Sequence, residues 1–260
     1  MKVTVLGARG SMPVEGKSVL KYGGATSCIL VESDTEAIFI DAGTGILDTP
    51  DIGDKNITVI LTHAHLDHLM GLPFFPYLSQ KNRRIDFYAP TCEGLNATEI
   101  LRRLFSPPYW PCTLDEYASD LRCHDLTLPM RIGDILVEGI ESNHPGGSLI
   151  YKLTCNNRSM VCATDYEYDE EKSRALIDFA KGVDLLFFDA QYTDEQLALK
   201  KGFGHSSALA GLKVMKECGA RLLRLVHHDP FRSDEELQKM EADVKSASVA
   251  FAGKGDVITL

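Results

Sequence analysis

Thr62-His63-Ala64-His65-Leu66-Asp67-His68 places three imidazoles and a carboxylate within six residues, directly after the apolar run 57–62. His63 and His65 are two apart, so on an extended backbone they point the same way. Asp67 and His68 follow where the chain should turn into a helix. Four nitrogen and oxygen donors in one loop can serve two metal ions, two ligands each. Imidazole and carboxylate suit zinc, manganese or iron, and the loop holds no cysteine to bias it towards thiolate ligation. A solvated loop with histidines by chance is the competing reading. Only 8 of the 260 residues are histidine, and three of them within six positions beside an aspartate argue against chance.

Two metals need more ligands than one loop supplies, and isolated candidates stand at later strand ends. His144 follows the run 135–141 and precedes Pro145-Gly146-Gly147. Asp165 follows Val161-Cys-Ala-Thr164, and His227 and His228 follow the run 222–226. Rigid strands commonly deliver functional groups on the loops at their ends. Each of these residues alone reads as a surface or capped residue. Beside the His63–His68 loop they complete a set.

That set, HxHxDH followed by a single His, a single Asp and a final His, resembles the metallo-β-lactamase superfamily over the length of the chain. Asp41-Ala-Gly43 is similar to its first motif, the His63–His68 loop to its second, and His144, Asp165 and His227 to its third, fourth and fifth. The resemblance implies an α/β fold, an αββα sandwich of two mixed β-sheets flanked by helices. It implies one metal held by His63, His65 and His144, a second by Asp67, His68 and His227, and Asp165 bridging them, with Asp67 also counted among the catalytic residues. The expected cofactors are two divalent ions, zinc or manganese. His228 remains the alternative to His227 for the last ligand. Asp41 reads either as a residue orienting a histidine or as a plain turn aspartate. Two divalent ions lower the pKa of bound water and make hydroxide available at physiological pH.

The rest of the chain is consistent with this. Residues 3–7, 26–32, 37–40, 57–62 and 85–89 read as strands, rich in β-branched residues and bounded by Gly, Asp or Pro. Residues 67–78 open a short helix that Pro73 and Pro76 interrupt, and 94–104 form another. Strands follow at 121–128, 135–141, 148–155 and 159–164, then a helix at 169–180, a buried strand at 184–188, and a helix at 206–218 ended by Gly219. A strand at 221–226, a helix at 233–245 with Ser233 as N-cap, and strands at 249–251 and 257–260 complete the chain. No linker or repeat divides it, so one domain over 1–260 is expected, with two β-rich halves and helices outside.

Composition narrows the class. Apolar residues make up 44% and charged residues 25%, which excludes a wholly disordered chain. No apolar run reaches the roughly 18 residues of a membrane helix. The opening residues lack the apolar stretch of about 7–15 residues found in a signal peptide. Seven cysteines, an odd number without a CxxC pair, argue against a disulfide framework or a thiolate zinc site. A cytoplasmic protein is expected. A net charge of −10 argues against a grip on long nucleic acid and against membrane-surface binding. An oligomer stays open.

Three features point within the superfamily to ribonuclease Z and its smaller phosphodiesterase relatives. The loop Leu6-Gly-Ala-Arg-Gly-Ser11 resembles their Gly- and Ser-rich opening, Gly204-His205-Ser206-Ser207 their GHS segment, and Asp189-Ala190 their acidic residue before Ala. By that resemblance His205 contacts a phosphoryl oxygen or protonates the leaving alkoxide, and Asp189 holds its other nitrogen. The expected reaction is hydrolysis of a small phosphodiester: a cyclic nucleotide, a cyclic ribosyl phosphate or a short nucleotide diester. Ribonuclease Z itself carries a long basic arm for transfer RNA, usually between the third and fourth motifs. Here His144 to Asp165 spans 21 positions, with Lys152 and Arg158 its sole basic residues. A tRNA 3′-end endonuclease, a lactone or thioester hydrolase, and a non-enzymatic scaffold are the alternatives. The last would show a lost ligand, and every expected ligand has a candidate. Trp110, in the loop 106–111, either stacks on a base or sugar or is merely packed.

Overall fold

The structure is a computed structural model describing residues 1–244 and 246–260; Lys245, the expected last residue of the 233–245 helix, lies outside them. The strands are β1 (Lys2–Gly7), β2 (Cys28–Glu32), β3 (Glu36–Ile40), β4 (Asn56–Ile60), β5 (Arg84–Ala89), β6 (Asp120–Asp125), β7 (Met130–Ile132), β8 (Ile135–Glu141), β9 (Leu149–Cys155), β10 (Arg158–Ala163), β11 (Leu185–Asp189), β12 (Leu222–Val226), β13 (Val249–Phe251) and β14 (Val257–Thr259). The helices are α1 (Ala97–Leu104), α2 (Ser173–Phe179), α3 (Asp194–Leu197), α4 (Ala208–Cys218) and α5 (Asp234–Val244).

The strands form two sheets, in the orders β14-β1-β2-β3-β4-β5-β6 and β13-β12-β11-β10-β9-β8-β7. Both are mixed: β3, β4, β5 and β6 run parallel, as do β10, β11, β12 and β13, while the other pairings are antiparallel. β14 leaves the second half of the chain and pairs with β1 through Lys2↔Thr259, so the halves of the sequence are not quite the halves of the fold.

Alternation sets the layers, because successive strand residues face opposite sides of a sheet. Ile29, Val31, Ile38, Ile40 and Ile60 meet Val137, Tyr151, Leu153, Cys162, Leu185 and Phe187 in the core between the sheets. Their neighbours Cys28, Leu30, Phe39 and Val59 face outward into a second cluster with Ile46, Leu72 and Phe75, which Ile100 and Leu101 of α1 join. On the other outer face Val161, Leu186, Phe188 and Leu225 lie under residues of α2, α4 and α5. The result is the αββα sandwich. At roughly 1.5–3 kcal/mol for each fully buried aliphatic or aromatic side chain, three such cores supply the large opposing term that folding requires.

Three local differences from the sequence reading have physical causes. Residues 67–78 form no helix but three single 3₁₀ turns, Leu66–His68, Leu72–Phe74 and Pro76–Ser79, because Pro73 and Pro76 cannot continue an i→i−4 ladder. β6 ends at Asp125, whose carboxylate instead accepts the Ala97 N–H at the start of α1, 3.0 Å away. The short strand β7, too brief to show a pattern, pairs with β8. Among the described residues, no helix is long and apolar enough to cross a membrane.

Candidate metal centre

One edge of the sandwich collects the site. Parallel pairing puts the C-terminal ends of β3 and β4 together, and those of β10, β11 and β12. β8 reaches β10 through two antiparallel pairings, so it too ends on that side. Asp41 follows β3, the His63–His68 loop β4, His144 β8, Asp165 β10 and His227 β12, while Asp189 ends β11. Asp41, Asp165 and His227 have φ of 64°, 52° and 61°. Left-handed backbone at a residue other than glycine costs on the order of 1–3 kcal/mol and persists only where its surroundings enforce it.

Two groups of donors result. His63, His65 and His144 offer ligand atoms within 4.8 Å of one another, as do Asp67, His68, Asp165 and His227. Asp165 stands between them. Its Oδ1 lies 3.9 Å from His63 Nε2, 3.5 Å from His144 Nε2 and 3.2 Å from His227 Nε2, and its Oδ2 3.2 Å from His68 Nε2. Asp67 Oδ2 is 3.2 Å from His227 Nε2 and accepts the Ser11 N–H at 2.8 Å.

Four of the five imidazoles are oriented from behind. His68 Nδ1 meets Asp41 Oδ2 at 2.7 Å, and Asp41 Oδ1 accepts the Thr62 N–H at 2.7 Å. His63 Nδ1 lies 3.0 Å from Thr62 Oγ1, His144 Nδ1 2.9 Å from the Pro145 carbonyl, and His227 Nδ1 2.8 Å from Gln191 Oε1. These partners leave the Nε2 atoms facing inward, as ligand histidines require.

The donor set fits divalent cations. His63 Nε2 and His68 Nε2 are buried without a hydrogen-bond partner of acceptable geometry, a costly arrangement unless a cation uses the lone pair. Burial holds His63 well below its ordinary pKa and lowers His144 to about 4, which favours the neutral, ligating form. Burial opposes ionisation of Asp165 and Asp67 as well. The charges of His227 and His68 overcome it at Asp165, and those of His68 and His227 at Asp67, so both carboxyls sit well below the usual range. At His227 burial is in turn outweighed by Asp165 and Asp67, which raise it to about 9.

A further histidine borders this cluster. His205 is buried, with its ring stacked on His227 at 4.7 Å and edge-on to His144 at 5.4 Å. Its Nδ1 lies 2.9 Å from Asp189 Oδ2, while Asp189 Oδ1 accepts the Ser206 and Gln191 N–H groups. The loop that carries it is pinned by Glu167, whose carboxylate accepts the N–H groups of Gly202 and Gly204.

Asp41, His63, His65, Asp67, His68, His144, Asp165, Asp189, His205 and His227 thus lie together, while His228 and Trp110 lie apart from them. His228 turns away: its Nε2 donates to the Ala252 carbonyl at 2.7 Å and its ring stacks on Phe251. Asp41 orients His68. Trp110 is packed, edge-on to Phe74 at 4.9 Å, with Nε1 donating to Tyr117 Oη at 2.8 Å. Sequence reading passed over Gln191 and two glycines that make room for ligands. A Cβ on Gly10 would lie 2.3 Å from His227 Nδ1, and one on Gly204 2.6 Å from His144 Cδ2. Gly10 and Gly204 stood inside quoted motifs; Gln191 carried no signal.

Fold and site together define a metallo-hydrolase of the metallo-β-lactamase fold. Residues 36–228 match the β-lactamase superfamily domain, and the chain belongs to that superfamily. It is 24% identical over 263 residues to the probable metallo-hydrolase YhfI of Bacillus subtilis, covering 99% of each chain. It is 23% identical over 244 residues to ribonuclease Z of Clostridium acetobutylicum, covering 90% of this chain and 73% of that one. The crystal structure of B. subtilis YhfI superposes with a TM-score of 0.76 at 22% identity, over 99% of this chain and 98% of that one. A diphosphatase from the PhnP family gives 0.73 at 18% identity, over 100% and 97%.

Proposed function

We propose that this protein hydrolyses a small phosphodiester, a cyclic nucleotide, cyclic ribosyl phosphate or short nucleotide diester, to a monoester. His63, His65 and His144 would hold one divalent ion, Asp67, His68 and His227 a second, with Asp165 shared. Nitrogen and oxygen donors without thiolate favour zinc or manganese. Such ions, when bound, supply hydroxide at neutral pH and neutralise phosphoryl charge.

The observation that carries the phosphodiester reading is the Asp189–His205 pair. A diester must expel a poor alkoxide, which calls for a proton donor. His205 offers a ring nitrogen within 4.8 Å of the ligand atoms of His144 and Asp165, and its Nδ1 lies 2.9 Å from Asp189 Oδ2. Asp189 accepts the Nδ1–H and so turns Nε2 towards the leaving oxygen, where the protonated ring can donate its Nε2–H. That a ribonuclease and a diphosphatase are among the similar proteins supports the same class.

Long nucleic acid is not the expected substrate. Between His144 and Asp165 the chain forms only the β9–β10 hairpin, and its two basic residues face Glu138 (Lys152, 4.0 Å) and Asp184 (Arg158, 2.9 Å). Seven unpaired cysteines support a reducing, cytoplasmic setting.

The test compares two substrates. His205→Ala should slow an alkyl diester by about 10²–10⁴-fold while barely affecting bis-nitrophenyl phosphate, whose leaving group needs no proton. Equal losses would make His205 a binding or structural residue. Lactone or thioester cleavage without any diester turnover would overturn the reading.

A further inference from the structure

Arg9 is the largest of the fully buried side chains, with no exposed surface. A guanidinium is costly in the interior unless its donors are used. Arg9 uses them on main-chain carbonyls. Nη1 donates to Asp229 at 3.0 Å and to Arg232 at 2.9 Å, and Nε and Nη2 donate to Gly23 at 3.2 and 2.9 Å. The first two carbonyls belong to the turn that leaves His227; the third belongs to the loop after β1.

The main chain on either side of Arg9 grips the same segment. The Gly10 N–H donates to the His228 carbonyl and the His228 N–H to the Ala8 carbonyl, both at 2.9 Å. Gly10 lies directly against the His227 ring. His227 itself has a φ of 61°, a conformation that a histidine does not hold unaided. His63, His65 and His144 come from the β4 and β8 loops, which supply none of the carbonyls that Arg9 binds.

We infer that Arg9 is a positioning residue for one half of the metal centre. By tying the 229–232 turn to Gly23 it holds His227 in its left-handed conformation. It thereby sets the ion affinity of the Asp67–His68–Asp165–His227 group and not that of the His63–His65–His144 group. The inference rests on the two-ion reading above. Lysine cannot replace this contact fully, because one ammonium cannot fork towards both the 229–232 turn and Gly23.

The experiment titrates metal-free full-length protein with Zn²⁺ against a competing chelator, alongside thermal melting by circular dichroism. Wild type should show two binding events, and His227→Ala identifies the one that belongs to its group. Arg9→Gln should weaken that same event by about 10–100-fold, the range for residues that support a ligand, and leave the other within about twofold. Arg9→Lys should fall between, and carries the test if Arg9→Gln does not fold. A general structural role would lower the melting temperature and weaken both events alike, which overturns the inference. So would a folded Arg9 variant with unchanged affinities. A wild type that takes up a single ion instead sinks the two-ion reading, and this inference with it.

Discussion

Asp165 faces four imidazoles with two oxygens, from a φ of 52° at the end of β10. Asp165→Ala should therefore lower metal content at both groups and abolish nearly all hydrolysis while far-UV circular dichroism stays unchanged. Adjacent histidines should behave in opposite ways. His227→Ala should reduce bound metal measured by elemental analysis. His228→Ala should leave metal content alone and lower stability by about 2–4 kcal/mol, because it empties a packed site against Phe251 and Tyr22 and orphans the Ala252 carbonyl. Burial lowers His228 to about 3, so its ring packs as the neutral form throughout the working range. Gly10→Ala should push the His227 ring aside and cost metal affinity without replacing any donor residue.

At the scale of elements, the starts of β10, β11 and β12 are stitched by Asp184. Its carboxylate accepts from Arg158 Nη1 at 2.9 Å, Arg221 Nη1 at 2.7 Å and the Ser159 N–H at 3.0 Å. Burial opposes its ionisation, but the Ser159 N–H and the two arginines outweigh it and hold its pKa below the usual carboxylate value. A depressed folded-state pKa adds stability that is present above the unfolded value, near 3.9, and fades as pH falls through the folded one. Asp184→Asn should thus destabilise by about 1–2 kcal/mol at neutral pH, a figure reduced for the solvent exposure of both arginines. Urea melts should show the difference shrinking as the pH is lowered below about 4. A difference constant with pH would mean that the amide, not the charge, matters.

Across the whole molecule, the candidate ligands come from loops following β4, β8, β10 and β12, which belong to both sheets. An ion bound there ties the layers together and favours the folded state by mass action. At about 100-fold excess over Kd this is about 2.7 kcal/mol per ion. For a chain of this size each kcal/mol moves Tm by about 2–4 °C. Removing both ions with a chelator should therefore lower Tm by roughly 10–20 °C, and added Zn²⁺ or Mn²⁺ should restore it. An unchanged Tm would mean that the ions contribute nothing to holding the sheets together.

The sequence alone determined much of this. Central strands were legible because both their faces are buried, so runs such as Cys28–Val31 are apolar and flanked by turn residues. The ligand loop was legible because its donors are local, packed into six positions after a strand. Tertiary structure decided what depends on residues far apart in the chain. Nothing local separates His227 from His228; a left-handed turn at the end of β12 sends one ring into the cluster and the other against Phe251. Gln191, 36 positions before His227, becomes its partner only because β11 and β12 run side by side. Arg9 is 220 positions from Asp229, and no pattern in sequence foretells a buried arginine bound only to carbonyls. Such contacts arise from chain crossings, where the geometry of the backbone, and not the identity of neighbouring residues, chooses the partner.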